Sequence, residues 1–250
     1  MSAPRPLEGQ VAVITGASRR TGRELAFGLA EDGATVVVTA VSSRGEIEGV
    51  SAEIRAKGGR SEAILLDVSD ETAVKAAFDG VAERLGRIDI LVNNAGIRRQ
   101  QPFLEMDLAD WRSIMAVNID GVFLCCRYAL PHMIASGGGT IVNIGGVTAH
   151  VGAKKRAHVS TTKAAVVGLT RTLAIEFADR NVTVNCVAPG KIGGERAASA
   201  GESPITPDRV PLGREGTTTE AASAVRYLCQ PEARFITGQT LHVSGGLFMP

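Results

Sequence analysis

Short runs of β-branched apolar residues alternate along the whole chain with longer segments of helical periodicity. The runs are VAVIT, TVVVTAV, EAILLDV, IDILVNNAG, TIVNI, VTVNCVA and TLHVS. Continuous apolar strands are typical of parallel sheets covered on both faces, and their alternation with helices predicts right-handed βαβ units. We therefore expect an α/β fold, a Rossmann-like doubly wound parallel sheet of about seven strands with helices on both faces.

The composition favours a single domain over residues 1–250. With 44% hydrophobic and 21% charged residues, the chain can bury a large core. A formal net charge of +1 and the lack of a long basic run give no reason to expect nucleic acid or an anionic membrane as a partner. No apolar run approaches the roughly 18 to 20 residues of a membrane span, and MSAPRPLEGQ lacks a signal-peptide core, so we expect a cytoplasmic protein.

The cysteines do not have the spacing of a metal site. They are Cys125, Cys126, Cys186 and Cys229, and the adjacent pair lies in an apolar helical pattern. Because free cysteine behaves as a small apolar side chain, we expect reduced, mostly buried thiols and no bound metal.

One long segment interrupts the alternation near the C-terminus. Residues 191–216 are rich in Gly, Pro and Ser and have no clear period. Loops of this length are uncommon in compact domains unless they are functional, so we interpret the segment as a lid over a ligand cleft. A surface insertion without function is the alternative.

Five motifs in order resemble the short-chain dehydrogenase/reductase family. They are TGASRRTG after the first strand, NNAG after the fourth, Lys163 in a helix, APGKI after the sixth, and FITGQTLHVSGG near the end. The resemblance covers essentially the whole chain. It implies an NAD(P)-dependent oxidoreductase that acts on a small or acyl-type carbonyl or alcohol and assembles as a homotetramer.

The glycine-rich turn has a physical role in dinucleotide binding. Gly16 and Gly22 let the backbone turn tightly and approach a pyrophosphate at a helix N-terminus. The resemblance further implies that Asp67 and Val68 border the adenine and that Lys163 binds the nicotinamide ribose. The full set of expected cofactor residues is Thr15, Gly16, Ser18, Arg19, Arg20, Thr21, Gly22, Arg44, Asp67, Val68, Asn94, Ala95, Gly96, Lys163, Pro189, Gly190 and Ile192.

The charge at the end of the second strand favours NADP over NAD. NAD-preferring relatives carry an acidic residue there, which accepts from the ribose 2′-hydroxyl and repels a 2′-phosphate. Here the position is Ala40, followed by Ser42, Ser43 and Arg44, and Arg19 lies in the first turn. A 2′-phosphate would meet hydroxyls and positive charge.

Two cofactor positions depart from the family pattern. Arg20 stands where the turn has its middle glycine, and Gly194 stands where a threonine commonly follows the PG motif. The side chain of Arg20 could crowd the dinucleotide, or its guanidinium could add a phosphate contact. Gly194 removes one hydroxyl.

The larger departures concern the catalytic hydroxyls. The family has a tyrosine four residues before the lysine and a serine thirteen residues before that tyrosine. Counting back from Lys163 places Val159 at the tyrosine position and Gly146 at the serine position. The surviving members of the catalytic set are Asn118, which by resemblance would position a water in a proton relay, and Lys163.

Several side chains near Lys163 are candidates for the missing proton donor. At about 100° per residue, Ser160 lies about 60° from Lys163 around the helix, whereas His158 lies about 140° away and would face the site only from a bent first turn. His158 has a suitable ordinary pKa. Thr148 and His150 follow the end of the strand and could contact the substrate. A water molecule is the remaining candidate for the proton donor.

A basic stretch precedes the Lys163 helix. We expect its members, Lys154, Lys155 and Arg156, to be solvated, or else to steer an anionic substrate such as an acyl thioester.

Three functional hypotheses follow from these residues. The retained cofactor motifs favour an NADP-linked oxidoreductase with an atypical proton donor. The missing hydroxyls are also compatible with a catalytically inactive subunit or regulator of the same fold. A cofactor-dependent lyase or isomerase is a third possibility.

Overall fold

The predicted sheet is present and entirely parallel. The computed structural model describes residues 5–195, 200–201, 203 and 205–250. Seven strands in the described residues form one sheet in the order β3-β2-β1-β4-β5-β6-β7. Strands β1 to β7 are Val11–Ile14, Thr35–Ala40, Arg60–Leu65, Ile90–Asn93, Gly139–Ile144, Val182–Pro189 and Thr240–Val243. The fold-class prediction is confirmed.

Helices cover both faces of the sheet. Helices α1 to α8 are Arg20–Glu31, Arg44–Ala56, Glu71–Leu85, Leu108–Met115, Gly121–Ala135, Thr148–Val151, Ala157–Glu176 and Thr218–Leu228. Helices α1, α2 and α8 bury residues such as Leu25, Ile47 and Val225 against one face. Helices α3, α5 and α7 cover the other face, where Phe78 and Met133 are buried.

The order of the strands reverses between β1 and β4. In open α/β sheets the ligand crevice lies beyond the carboxyl ends of the strands at such a switch point. The loops after β1, β4, β5 and β6 therefore meet at one edge. These loops carry the motifs that the sequence analysis identified.

A buried polar chain fixes helix α7 over the sheet. Asn93 on β4 donates through Nδ2 to Oδ1 of Asn143 on β5 at 2.9 Å. Asn143 in turn donates to Oγ1 of Thr170 at 2.9 Å, and Thr170 donates to the carbonyl of Val166 at 2.8 Å. Because buried amides must keep their partners, these bonds set the rotation of α7 and so the direction in which Lys163 points.

One helical run, Leu108–Ala135, resembles a membrane span by length and composition. Its 28 residues join α4, a π-helical segment Ala116–Asp120 and α5. Charged residues such as Asp120 and Arg127 interrupt its apolar stretches. Half of its most apolar window is buried in the fold, and a core helix passes the same test. We interpret it as a core helix.

Candidate active site

A cleft of about 530 Å³ lies at the carboxyl edge of the sheet. Its volume falls in the range of small-molecule and cofactor sites. The predicted cofactor residues that line it are Gly16, Ser18, Arg19, Arg20, Thr21, Gly22, Asp67, Val68, Asn94, Ala95, Gly96, Lys163, Pro189, Gly190 and Ile192. The structure thus brings together nearly the whole predicted set.

The glycine turn after β1 is packed too tightly for side chains. Gly16 has φ +65°, and a Cβ on it would lie 2.9 Å from the Cα of Ala95. A Cβ on Gly22 would overlap the carbonyl oxygen of Gly16. Asn94 donates to the carbonyls of Thr15 and Gly16 at 2.9 and 2.7 Å. The turn is therefore held against the end of β4, where a dinucleotide can approach the backbone.

Thr15 supports the turn from behind the cleft. Its Oγ1 accepts the N–H groups of Asn94 and Ala95, both at 3.0 Å, and the residue is 1% exposed. Thr15 does not line the cleft. It was expected to bind cofactor, and its contacts make it a positioning residue instead.

The N-terminus of α1 suits an anion. Arg19 precedes the helix in an extended conformation and makes no side-chain cap, and the first turn holds no acidic residue. The first N–H groups of a helix lack intrahelical partners and carry partial positive charge. The residues present therefore fit a pyrophosphate.

Arg20 reaches across the cleft to the segment after β6, while its two expected effects on the dinucleotide stay predictions. Its φ is +52°, a left-handed backbone conformation that favours glycine. Its guanidinium donates to the carbonyl of Gly193 at 3.0 Å and to the carbonyl of Glu195. Arg20 thereby joins the turn after β1 to the segment after β6.

Gly194, the second departure from the family pattern, lies against the side chain of Arg20, the first. Gly194 has φ +94°, and a Cβ on it would lie 3.1 Å from Nη1 of Arg20. A threonine at this position would be strained in its backbone and would crowd the guanidinium. Gly194 therefore leaves room for the guanidinium of Arg20.

Replacing Arg20 with glycine is expected to speed amide hydrogen exchange in residues 191–195 by about tenfold, because this segment loses its donors. The free energy of unfolding should change by less than about 1 kcal/mol, since relief of the left-handed backbone offsets the lost hydrogen bonds. Exchange measured by mass spectrometry and urea denaturation test this. Arg19→Gln is the control, and equal exchange in both variants would show that Arg20 does not hold the segment.

The adenosine end contains hydroxyls and one carboxylate. Ala40, Ser42 and Ser43 line the cleft beside Asp67. Asp67 accepts from the backbone and hydroxyl of Ser69 at 2.9 and 2.6 Å. The structure places Arg44, an expected cofactor residue, outside the cleft. It is the first residue of α2 and pairs with Glu48, four residues on, at 3.4 Å.

Lys163 lies at the centre of the catalytic end. Its Nζ donates to the carbonyl of Ile144 at 2.6 Å and lies 3.8 Å from the place of a Cβ on Gly96. Burial, followed by the positive field of Arg98, lowers the pKa of Lys163 to about 8. An amine with this pKa can give or take a proton near neutral pH.

Gly146 and Val159, at the two positions where the family pattern has hydroxyls, both line the cleft. A Cβ on Gly146 would make ordinary contacts, 3.6 Å from Cγ of Lys163 and 3.9 Å from Oγ1 of Thr148. Thr148 also lines the cleft. Lys163 and Thr148 are therefore the polar groups that flank the place of the absent serine.

Comparisons with known proteins agree with this geometry. A family model described as enoyl-(acyl carrier protein) reductase matches residues 16–248. The 3-oxoacyl-[acyl-carrier-protein] reductase FabG of Staphylococcus aureus is 41% identical over 242 residues, which cover 95% of this chain and 98% of that protein. The corresponding enzyme of Aquifex aeolicus is 40% identical over 97% of this chain and 98% of its own length.

Solved structures of related proteins also match nearly the whole chain. A short-chain dehydrogenase/reductase mutant of Serratia marcescens superposes with a TM-score of 0.89 at 34% identity, over 97% of this chain and 99% of that one. The chain belongs to the short-chain dehydrogenase/reductase family. A gluconate 5-dehydrogenase of Burkholderia cenocepacia, in complex with NADP and tartrate, superposes with a TM-score of 0.91 at 36% identity, over 98% and 97% of the two chains. The protein is accordingly an NAD(P)-dependent oxidoreductase.

Two candidate proton donors of this dehydrogenase/reductase lie outside the cleft. Helix α7 begins at Ala157, and His158 in its first turn does not line the cleft. His158 is fully buried, and burial followed by the field of Arg156 lowers its pKa. Ser160 does not line the cleft either, and its buried hydroxyl has no hydrogen-bond partner among the described residues. In this structure neither side chain reaches the cleft where the tyrosine position lies.

Asn118 holds the loop that follows β4. Its Oδ1 accepts from the N–H of Ile97 at 2.8 Å, and its Nδ2 donates to the carbonyl of Ile97 at 3.0 Å and to Oγ1 of Thr162 at 3.3 Å. The side chain is 1% exposed within the π-helical segment. The expected water relay stays a prediction, and the contacts assign Asn118 a positioning role for this loop.

His150 belongs to a cluster of rings rather than to the cleft. Its ring stacks on Phe248 at 4.6 Å between centroids and meets His242 edge-on at 4.6 Å. Burial lowers the pKa of both histidines. These contacts make His150 a packing residue of the C-terminal segment.

Sequence reasoning missed one arginine that lines the cleft and left the role of another open. Arg98 lies two residues after the NNAG motif, and Arg156 precedes α7. Arg156 was expected to be solvated, or else to steer an anionic substrate. It is 3% exposed and donates to the carbonyl of Ala200 at 2.6 Å, so it is not solvated. The position of Arg98 close to a cofactor motif was an available signal, whereas the burial of Arg156 depends on the segment after β6.

Proposed function

We propose that the protein is an NADPH-dependent carbonyl reductase in which Lys163 supplies the proton. The observation that carries this proposal is the place of its Nζ in the cleft, beside the open space at Gly146 and with a pKa of about 8. A general acid works best when its pKa lies near the operating pH. NADPH supplies the hydride when it is bound.

The roles of the protein groups follow from their positions. The carbonyl of Ile144 holds Nζ of Lys163 in place at 2.6 Å. The hydroxyl of Thr148, across the place of the missing serine, donates to the carbonyl oxygen of the substrate. That oxygen takes a proton from the ammonium as it gains negative charge, and the neutral amine that remains is tolerated because Lys163 is buried.

The preference for NADPH is assigned to Arg19 and the serines after β2. Arg19, Ser42 and Ser43 line the adenosine end of the cleft. The solved relative from Burkholderia cenocepacia, whose complex contains NADP, supports this choice.

Replacing Arg19 with alanine is expected to weaken NADPH binding by about tenfold or more, the size of one charge-assisted hydrogen bond, and to leave NADH binding nearly unchanged. Fluorescence titration of both cofactors measures this. Arg44→Ala is the matched control because Arg44 lies outside the cleft. Tighter binding of NADH than of NADPH by the native protein would contradict the assignment.

The activity itself is tested by NADPH oxidation with a panel of carbonyl compounds. Because the sequence is 41% identical to a 3-oxoacyl-[acyl-carrier-protein] reductase, 3-oxoacyl thioesters are the first substrates to assay. Because the structure superposes on a gluconate 5-dehydrogenase, oxo acids are the second. Turnover of either class supports the proposal. Tight NADPH binding without any turnover would favour the inactive subunit, which the absence of hydroxyls at Gly146 and Val159 suggests.

The protein has an exposed apolar surface on the α4 and α5 side. It includes Leu104, Leu108 and Phe123, and we propose that these side chains pack between subunits of a homotetramer.

The segment expected to form a lid is described only in part. Ile205 in this segment lines the cleft, whereas residues 196–199, 202 and 204 lie outside the described residues. We propose that segment 191–216 acts as this lid in a single domain of a cytoplasmic protein.

A further inference from the structure

An apolar cluster lies at the catalytic end of the cleft. Its buried members are Val147, Ile205 and Val210, and the side chains of Leu247 and Phe248 pack against them. Two members, Val147 and Ile205, also line the cleft. They are only 1% and 8% exposed, so they form a closely packed apolar wall at this place. A ligand group that reaches the wall meets hydrocarbon.

Val147 fixes the position of the wall relative to the reacting groups. It lies in the chain between Gly146 and Thr148. Its N–H donates to the carbonyl of Pro189 at 3.0 Å, which ties the loop after β5 to the end of β6. The proposed function places the substrate carbonyl beside Gly146, between Thr148 and Lys163. The wall is therefore next to one of the two groups that the carbonyl carbon carries.

The C-terminal segment anchors the part of the wall that belongs to residues 205–212. The N–H of Leu212 donates to the carbonyl of Gly245 at 3.1 Å. Gly245 has φ +63°, and a Cβ on it would lie 2.6 Å from Cγ1 of Val210, so the two segments are in close contact. Because closely packed side chains resist displacement, Ile205 is expected to keep its place when a ligand binds.

We propose that the substrate is a carbonyl compound whose substituent on this side is apolar and short, and that Ile205 limits the length of this substituent. This inference rests on the proposed reductase function. A short alkyl group would contact the wall, whereas further methylenes would have to displace packed side chains. A polar group would lose its hydrogen bonds to water there. The carbonyl carbon gains the hydride, its oxygen gains the proton, and the substituent is unchanged.

A series of ethyl 3-oxo esters tests the limit, because the ester arm stays constant while the alkyl group grows. The members are the oxobutanoate, oxopentanoate, oxohexanoate and oxooctanoate, each assayed with NADPH. We expect kcat/KM to fall by about tenfold or more from the oxobutanoate to the oxooctanoate. An ester with a hydroxymethyl group in place of the ethyl group of the oxopentanoate should be reduced about tenfold less well than the oxopentanoate. A constant or rising kcat/KM along the series, or equal values for this last pair, would overturn the inference.

Substitutions of Ile205 assign the limit to this side chain. Ile205→Ala should raise kcat/KM for the oxooctanoate by about tenfold, with the oxobutanoate changed less than about threefold. Ile205→Val removes a single methyl group, so it should fold even if the alanine variant does not, and it should shift the ratio in the same direction by about threefold. Val151→Ala, an exposed apolar residue of α6 outside the cleft, is the control. An unchanged ratio of oxooctanoate to oxobutanoate in either folded variant of Ile205 would overturn the inference.

A binding measurement separates this inference from the proposed function. If no carbonyl compound is reduced, the reductase proposal fails, and calorimetry on the NADPH-loaded protein tests the wall alone. The probes are butanamide and octanamide, whose amide carbonyls NADPH does not reduce. Ile205→Ala should bind octanamide about tenfold more tightly than the native protein does, and butanamide about equally. Equal binding of octanamide by the two proteins would overturn the limit assigned to Ile205 whatever the outcome for turnover.

Discussion

Replacing Lys163 with methionine should lower kcat for carbonyl reduction by about 10² to 10⁴-fold, the usual contribution of a general acid. With the tyrosine position occupied by Val159, no neighbouring hydroxyl in the described cleft has a pKa suited to the step. Steady-state kinetics at saturating NADPH measures the loss. Because the family resemblance also gives Lys163 a role in ribose binding, the KM for NADPH is measured separately.

The pH dependence distinguishes a proton donor from a binding residue. Burial lowers the pKa of Lys163 to about 8, and the acid acts in its protonated form. Reduction should therefore be constant below pH 8 and fall about tenfold per unit above it. Lys163→Arg keeps the charge but does not titrate in this range, so the fall should disappear. A native profile without a fall near pH 8 would contradict the assignment.

Restoring both missing hydroxyls should raise kcat by about 10²-fold, because a phenol gives the carbonyl a second acid. The substitutions are Gly146→Ser and Val159→Tyr. A Cβ at Gly146 would meet only ordinary contacts, and Val159 lies four residues before Lys163 on the face that lines the cleft. The new side chains would therefore point at the place where the carbonyl reacts.

The matched control carries phenylalanine in place of the new tyrosine. Gly146→Ser combined with Val159→Phe has the same ring volume and lacks only the hydroxyl. Equal rates in the Tyr and Phe variants would show that the acid is not the missing component. A gain in the Tyr variant alone, with a pH profile that differs from the native one, would support the assigned place of the carbonyl.

Departures from the family pattern could be read from the sequence because they depend on linear spacing. The distance from Lys163 back to Val159 and Gly146 is a count along one helix and one loop, and the structure places both residues in the cleft. The same spacing did not show which group replaces them. Ser160 was a candidate by helical angle and His158 by its ordinary pKa, and neither lines the cleft because the packing of α7 buries their polar atoms elsewhere.

One local irregularity is not indicated by the apolar pattern. The run Leu108–Ala135 consists of α4, α5 and a wide turn between them. The π-helical segment Ala116–Asp120 joins its two parts into one continuous helical run. A single wide turn of this kind is set by contacts such as those of Asn118 with Ile97, which local sequence does not specify.

The sequence by itself determined the parallel α/β fold and the cofactor turn, and it predicts the loss of the catalytic serine and tyrosine. These features depend on residue type and on spacing within a few turns of chain. Tertiary structure alone decided that Arg20 binds the segment after β6, that Arg156 is buried, and that Arg98 lies close enough to lower the pKa of Lys163. The physical reason is that burial and electrostatic fields depend on which distant segments meet at the sheet edge.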